Sequence, residues 1–390
     1  MNIELMDVKS QHFAHKEEFD NAVLEVLSSG NYIGGKFVKD FEDKFATYYD
    51  CKYAISCGNG TDALVLSLKA LNIGNGDEII TTPFTFFATA EAIASVGAKP
   101  VFVDVNIDDF CIDCNLIEKK INKKTKAILP VHIYGQSCDM DRLKEICDKY
   151  SLKLITDCAQ STGTRYKGSR KNTLGEIACF SFFPTKILGC DGDGGMVLTD
   201  DENIASAVRA YKIHGSNIDG FKTLKNYYSN INKTMPSNIE LHEDKYHNYL
   251  IGYNSRLDAI QANLLSKKLD YIDEYIDKRR KNADYYNVAL GNSKFTIPKV
   301  PNYSFHTYYI YALQANNRNE CMMKLKSKGV ASGVYYPVPL HLQPAFNYLG
   351  YKIGDMPNSE FLSLHTFAIP VYPELNNQEL EYIVNVINCI

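Results

Sequence analysis

A chain of 390 residues exceeds the size at which a single core keeps growing, so one large and one smaller domain are expected. Hydrophobic residues at 45% and charged residues at 23% are ordinary for a globular protein, and no apolar run is long enough to cross a bilayer. The net charge of −4 offers no basic footprint, and the opening MNIELMDVKSQHF lacks the apolar stretch of a signal peptide, so the sequence predicts a cytoplasmic protein with neither nucleic-acid nor membrane partners.

From about residue 50 to 213, β-branched runs alternate with helical segments. KYAIS reads as a strand, and GNGTDAL, at 58–64, opens a helix with Leu64, Leu68 and Leu71 on one face. The N–H groups of Gly60 and Thr61 at that helix start suit a phosphate, although a capping threonine alone is common. DEIITT is the next strand, followed by TTPFTFFATAEA, where Phe86 can stack on a flat ring or simply pack in the core.

KPVFVDV leads to FCIDC, whose Cys111 and Cys114 form a C-x-x-C. No second pair stands at metal-ligand spacing, so the 11 cysteines read as free thiols and no metal site is expected. KAILPVHIY is a further strand, and DMDRLKEICDKY a helix. LKLITDCAQS then places Asp157 at a strand end and Gln160 one turn on. IACFSFF carries Ser181 and stops short of Lys186, after which four glycines by residue 195 turn the chain into GMVLTD. Alternating strand and helix predict an α/β fold with a mostly parallel, doubly wound sheet, which binds ligands at the carboxyl ends of its strands.

Residues 216–249 break the rhythm with a polar, Asn- and Tyr-rich stretch that reads as a lid or a mobile insertion. RLDAIQANLLSKKLDYIDEYIDKRRKNADYYNVAL predicts one long connecting helix. Beyond it, strand HTYYIYAL and helices at NECMMKLKSKG and NQELEYIVNVIN form a small α/β domain. The division is a large domain over 1–255, insertion included, and the connecting helix with the small domain over 256–390.

A lone lysine between an apolar strand and a glycine turn is ordinarily a surface residue. Its alternative is an amine sheltered at a strand mouth, the setting in which lysine becomes a nucleophile. Asp157, at another strand end, gives that alternative a partner, because pyridoxal phosphate needs a lysine for its Schiff base and an acid for its ring nitrogen. Alone, Asp157 would read as a turn residue. The glycine cluster contains no nucleotide-binding loop, which argues against a nucleotide binder without pyridoxal phosphate.

The motifs GNGTDAL, TPFTFFATAEAI, PVHIYGQ, ITDCAQSTG, SFFPTKILGCDGDGG and IGYNSRLDAIQANLL resemble, in order and spacing, those of the DegT/StrS-type (DegT/DnrJ/StrS) nucleotide-sugar aminotransferases. The resemblance spans nearly the whole chain and implies a pyridoxal-phosphate enzyme of fold type I. It implies that Lys186 holds the cofactor aldehyde, Asp157 pairs with the ring nitrogen, Gln160 meets the ring hydroxyl region and Phe86 stacks on the ring. Gly60, Thr61 and Ser181 would hold the phosphate, with Asn254 reaching the phosphate of a neighbouring subunit, so a homodimer with shared sites is implied. Some members carry histidine in place of the lysine and are dehydratases; Lys186 favours transamination.

The implied reaction moves the amino group of L-glutamate, leaving 2-oxoglutarate, to a keto group at carbon three of a nucleotide-linked sugar, for amino-sugar and surface-polysaccharide (lipopolysaccharide, O-antigen) synthesis. Enzymes acting on UDP-2-acetamido-2-deoxy-3-oxo-glucuronate are the nearest resemblance. A dTDP-3-keto-6-deoxyhexose aminotransferase and a non-catalytic, cofactor-binding regulator are the alternatives. Arg256, Tyr335 and His341 are candidates for substrate contact. Tyr335 stands where the glucuronate enzymes carry histidine, and Arg256 can equally serve an ion pair at a helix start.

Overall fold

A computed structural model describes every residue except Glu243. All seven expected strands join one sheet, in the order Tyr53–Cys57, Gly195–Thr199, Ile177–Ser181, Lys153–Asp157, Thr125–Leu129, Glu78–Thr81 and Lys99–Phe102. The five strands from Ile177–Ser181 to Lys99–Phe102 pair in parallel, while Gly195–Thr199 runs antiparallel to both its neighbours. Near-continuous apolar runs such as IACFS are what a strand buried on both faces requires. One face packs Ile79, Leu129, Ile155 and Val197 against Leu64 and Leu68 of the helix Gly60–Ala70. The other carries Ile80, Ile128 and Leu154 with Leu143 and Ile146 of the helix Met140–Tyr150.

The small domain is built on an antiparallel pair, Tyr311–Gln314 with Thr366–Ile369, covered by the helices Arg318–Ser327 and Asn377–Asn388. The first residues join this domain rather than the large one. Ile3 bridges to Val330 in parallel and sits in the small domain's core.

The connecting segment is not the single helix its pattern predicts. Helix Ala259–Lys268 tightens into a 3-10 turn, Leu269–Tyr271, before helix Ile272–Leu290 begins. The turn comes directly after Lys268, whose buried amine is tied to the Gly189 carbonyl at 2.9 Å and Asp191 at 2.8 Å. The first helix is thereby committed to the glycine turn, and Tyr271 at φ −100°, ψ 0° lets the second leave toward the small domain. Nor is the insertion irregular throughout. Its first half is the helix Asn217–Asn230, fastened to the preceding helix Glu202–Tyr211 by Ser206 on Asp219 at 2.6 Å and Asn226 on Asn203 at 2.9 Å. Among the described residues no helix is long and apolar enough to cross a membrane.

Candidate active site

The carboxyl ends of the central strands open into a cavity of about 700 Å³. Chain direction explains what gathers there: each parallel strand delivers its last residues to the same edge. Asp157 ends one strand, Ser181 ends the next, and Lys186 follows Ser181 in a turn closed by its own N–H on the Phe183 carbonyl at 2.8 Å. Gly60, Thr61, Phe86, Gln160 and Tyr335 also line the cavity. Asn254, Arg256 and His341 do not.

The amine of Lys186 lies over the Tyr309 ring, 4.6 Å from its centroid. Asp157 is buried, with one carboxylate oxygen accepting the Ala159 N–H at 3.0 Å and the other the Thr89 hydroxyl at 2.8 Å. Burial pushes its carboxyl up; those two donors and the charges of Lys186 and His132 pull the other way, toward the ionised form. Gln160 is held at both ends of its amide. Its Oε1 accepts the Tyr134 N–H at 2.9 Å and its Nε2 donates to the Tyr336 hydroxyl at 3.0 Å, which leaves one amide hydrogen free.

The helix start at the cavity wall depends on close packing. Asn59 caps the helix Gly60–Ala70 by accepting the Asp62 N–H at 2.8 Å, so the N–H groups of Gly60 and Thr61 stay available at the cavity wall. A Cβ on Gly60 would lie 2.6 Å from that of Ser181, so only glycine lets the helix start and the strand end share the cradle. The glycine cluster has a similar purpose: a Cβ on Gly195 would sit 2.2 Å from the Asn59 carbonyl oxygen. Phe86 is 56% exposed and lies beside Tyr336, ring centroids 5.9 Å apart, forming an aromatic wall.

Three predicted residues lie elsewhere. His341 is buried outside the cavity, its Nε2 3.0 Å from the Glu360 carboxylate. Asn254 and Arg256 are exposed and flank Ser255. Ser255, which sequence reasoning missed, accepts the Gly58 N–H at 2.9 Å and donates to Asp62 at 2.6 Å, pinning this segment beside the helix start. Thr89, Tyr309 and Tyr336 were missed too. Thr89 sits inside the quoted TPFTFFATAEAI run; the two tyrosines arrive from the small domain and nothing local in the sequence marks them.

These residues fit pyridoxal phosphate: an amine, a buried carboxylate facing it across the cavity, two free helix N–H groups beside a serine, and an aromatic wall. The group would be held by Lys186, Asp157, Gln160, Gly60, Thr61 and Ser181.

Comparison with known proteins agrees with this geometry. The model of the DegT/DnrJ/EryC1/StrS aminotransferase family matches residues 14–388. The chain is 40% identical over 388 residues to a pleiotropic regulatory protein of Geobacillus stearothermophilus, covering 98% of this chain and 97% of that one. It is 37% identical over 381 residues to the UDP-2-acetamido-2-deoxy-3-oxo-D-glucuronate aminotransferase of Pseudomonas aeruginosa, covering 98% of each. The crystal structure of S. venezuelae DesV in complex with a ketimine intermediate superimposes with a TM-score of 0.91 at 32% identity, covering 99% of this chain and 98% of DesV.

Proposed function

Because the chain belongs to the DegT/DnrJ/EryC1/StrS aminotransferase family and is a pyridoxal-phosphate-dependent nucleotide-sugar transaminase, we propose that it carries the amino group of L-glutamate to a C3 keto group on such a sugar. The observation that carries this reading is the Lys186 amine and the Asp157 carboxylate in one cavity with a phosphate cradle.

Pyridoxal phosphate supplies an aldehyde carbon that bonds amines and a ring that spreads negative charge from the carbon beside it. The chain supplies the rest. Nζ of Lys186 would hold the cofactor's aldehyde carbon. As a free amine, Lys186 would take the proton from Cα of the amino donor and, as the acid so formed, give it back. Asp157 holds a proton on the ring nitrogen, for which its ionised form is required. Gln160 turns its one free amide hydrogen toward the ring hydroxyl, because its oxygen and its other hydrogen are engaged. Gly60, Thr61 and Ser181 would hold the phosphate, and Phe86 would pack on the ring.

Asn254 and Arg256 belong, on this reading, to the site of a second subunit. Both are exposed beside a segment pinned to the phosphate-binding helix, and the neighbouring Ile251 is 93% exposed. A homodimer in which each chain completes the other's site would account for both residues lying outside their own chain's cavity. A C3 keto sugar is favoured by the similarity to the 3-oxo-glucuronate enzyme. Tyr335, which lines the cavity wall and brings no charge, is as compatible with a dTDP-3-keto-6-deoxyhexose as with a uronate.

Incubating the enzyme with glutamate and either a UDP- or a dTDP-linked 3-keto sugar, and measuring 2-oxoglutarate and the amino sugar formed, tests the proposal. Turnover with the UDP-linked acid supports the first assignment, and turnover with the deoxyhexose alone moves it to the second. No amino sugar from any 3-keto nucleotide sugar would overturn the carbon-three assignment.

A further inference from the structure

We propose that Thr89 is a positioning residue for Asp157, and that Thr85 and Thr89 form a one-way chain of hydroxyls that keeps this carboxylate ionised and aimed at the ring nitrogen. The proposal rests on the reading of Asp157 as the ring-nitrogen partner. Thr89 lies in the first turn of the helix Ala88–Ser95, and its hydroxyl lies 2.8 Å from Asp157 Oδ2 and 3.2 Å from the Thr85 hydroxyl. Thr85 and Thr89 are 2% and 1% exposed, so both bonds are shielded from bulk water.

Hydrogen-bond inventory fixes the direction. An ionised carboxylate only accepts, so Thr89 must donate to Asp157; having spent its one hydrogen, Thr89 can only accept from Thr85. Each donor polarises the next, and the Ala159 N–H holds the other oxygen at 3.0 Å. With one donor on each oxygen, the carboxylate plane is set and its remaining lone pairs face the cavity. Asp157 is buried, and burial opposes its charge. A bond to the charged form is the physical means of resisting that.

The test compares Thr89→Val, Thr89→Ser, Thr85→Val and Asp157→Asn, reading the dissociation constant of pyridoxal phosphate from the apo-protein and the melting temperature of each apo form. Valine keeps the side chain's bulk and loses the hydroxyl; serine keeps the hydroxyl and loses the methyl. Thr89→Val is expected to weaken cofactor binding by about ten- to a hundredfold, the loss of a charge-assisted bond. Thr89→Ser is expected to stay within about threefold, and Thr85→Val to fall between. The reverse order, with serine worse than valine, would mean that Thr89 merely fills space and would overturn the proposal.

Asp157→Asn separates this failure from failure of the reading beneath it. If it binds the cofactor as the wild type does, Asp157 is not the ring partner. If it binds weakly while Thr89→Val binds normally, only the positioning role is lost. Should Thr89→Val not fold, Thr85→Val decides, because it leaves Thr89 in place without its donor: unchanged affinity there overturns the chain.

Discussion

Lys186 is placed by its turn and by the Tyr309 ring beneath its amine, and among the described residues no second lysine lines the cavity. Lys186→Ala is therefore expected to lose the visible absorbance of the cofactor-loaded protein and to cut glutamate-dependent turnover by roughly 10² to 10⁴. Substantial turnover in that variant would remove Lys186 from its assigned role. Asp109 supports a separate prediction about stability. Burial raises its carboxyl from an ordinary value of 3.8 to about 7, so the folded protein holds that proton more tightly than the unfolded chain. Its stabilisation is complete below about pH 3.8 and is lost as pH rises through about 7. Asp109→Asn, which can still accept the Cys111 N–H, should raise the melting temperature at pH 8 and change it little near pH 4. An equal shift at both values would rule out the buried charge as the cause. At this scale the candidate cavity was largely legible: Asp157 ends a strand that its own composition announces, and Gln160 and Lys186 come shortly after such strands. His341 was not, since one polar residue in a loop sequence does not tell a cavity wall from a buried hydrogen bond with Glu360.

The seven strands were readable because a doubly buried strand must be apolar and β-branched along its length. The break at Leu269–Tyr271 was not, because 3-10 and α geometry accept the same residues; the cause is a tertiary tie, Lys268 to Gly189 and Asp191. The helix Asn217–Asn230 was hidden for a related reason. Its pattern is weak, and its hold on the rest of the chain comes from single polar bonds such as Ser206 to Asp219. The glycine turn shows the same limit from the other side, since its sequence signals a bend but not the backbone pressed against Gly195. Gly195→Ala would bring a methyl to 2.2 Å from the Asn59 carbonyl oxygen, and Asn59 caps the helix Gly60–Ala70. The variant should lose about 1–3 kcal/mol in chemical denaturation and bind pyridoxal phosphate more weakly. Loss of stability with unchanged cofactor affinity would show that the strand shifts without disturbing the cap.

Asn254 bridges to Ile213 and the insertion's Asn248 to Ser216, so the two lie side by side, and each makes a prediction about assembly. If Asn254 serves a second subunit, mixing Lys186→Ala with Asn254→Ala chains should restore one intact site per heterodimer. No recovered activity in confirmed heterodimers would put both residues in one chain's site. The insertion divides into two parts that should behave differently. Its helix, Asn217–Asn230, is fastened to the large domain, whereas Tyr246 in the second part is 79% exposed. An exposed aromatic ring beside a polar, asparagine-rich stretch suits a flat base or a sugar face better than it suits water. Shortening the segment between residues 232 and 248 while keeping the helix should therefore raise the KM for the nucleotide sugar by about tenfold, the equivalent of one or two lost stacking or hydrogen-bonding contacts. The glutamate half-reaction should not change, because glutamate is small enough to react within the pocket that holds the cofactor. Measuring the two half-reactions separately decides the matter: an equal loss in both assigns the segment to folding or assembly, and no loss in either leaves it without a part in substrate binding.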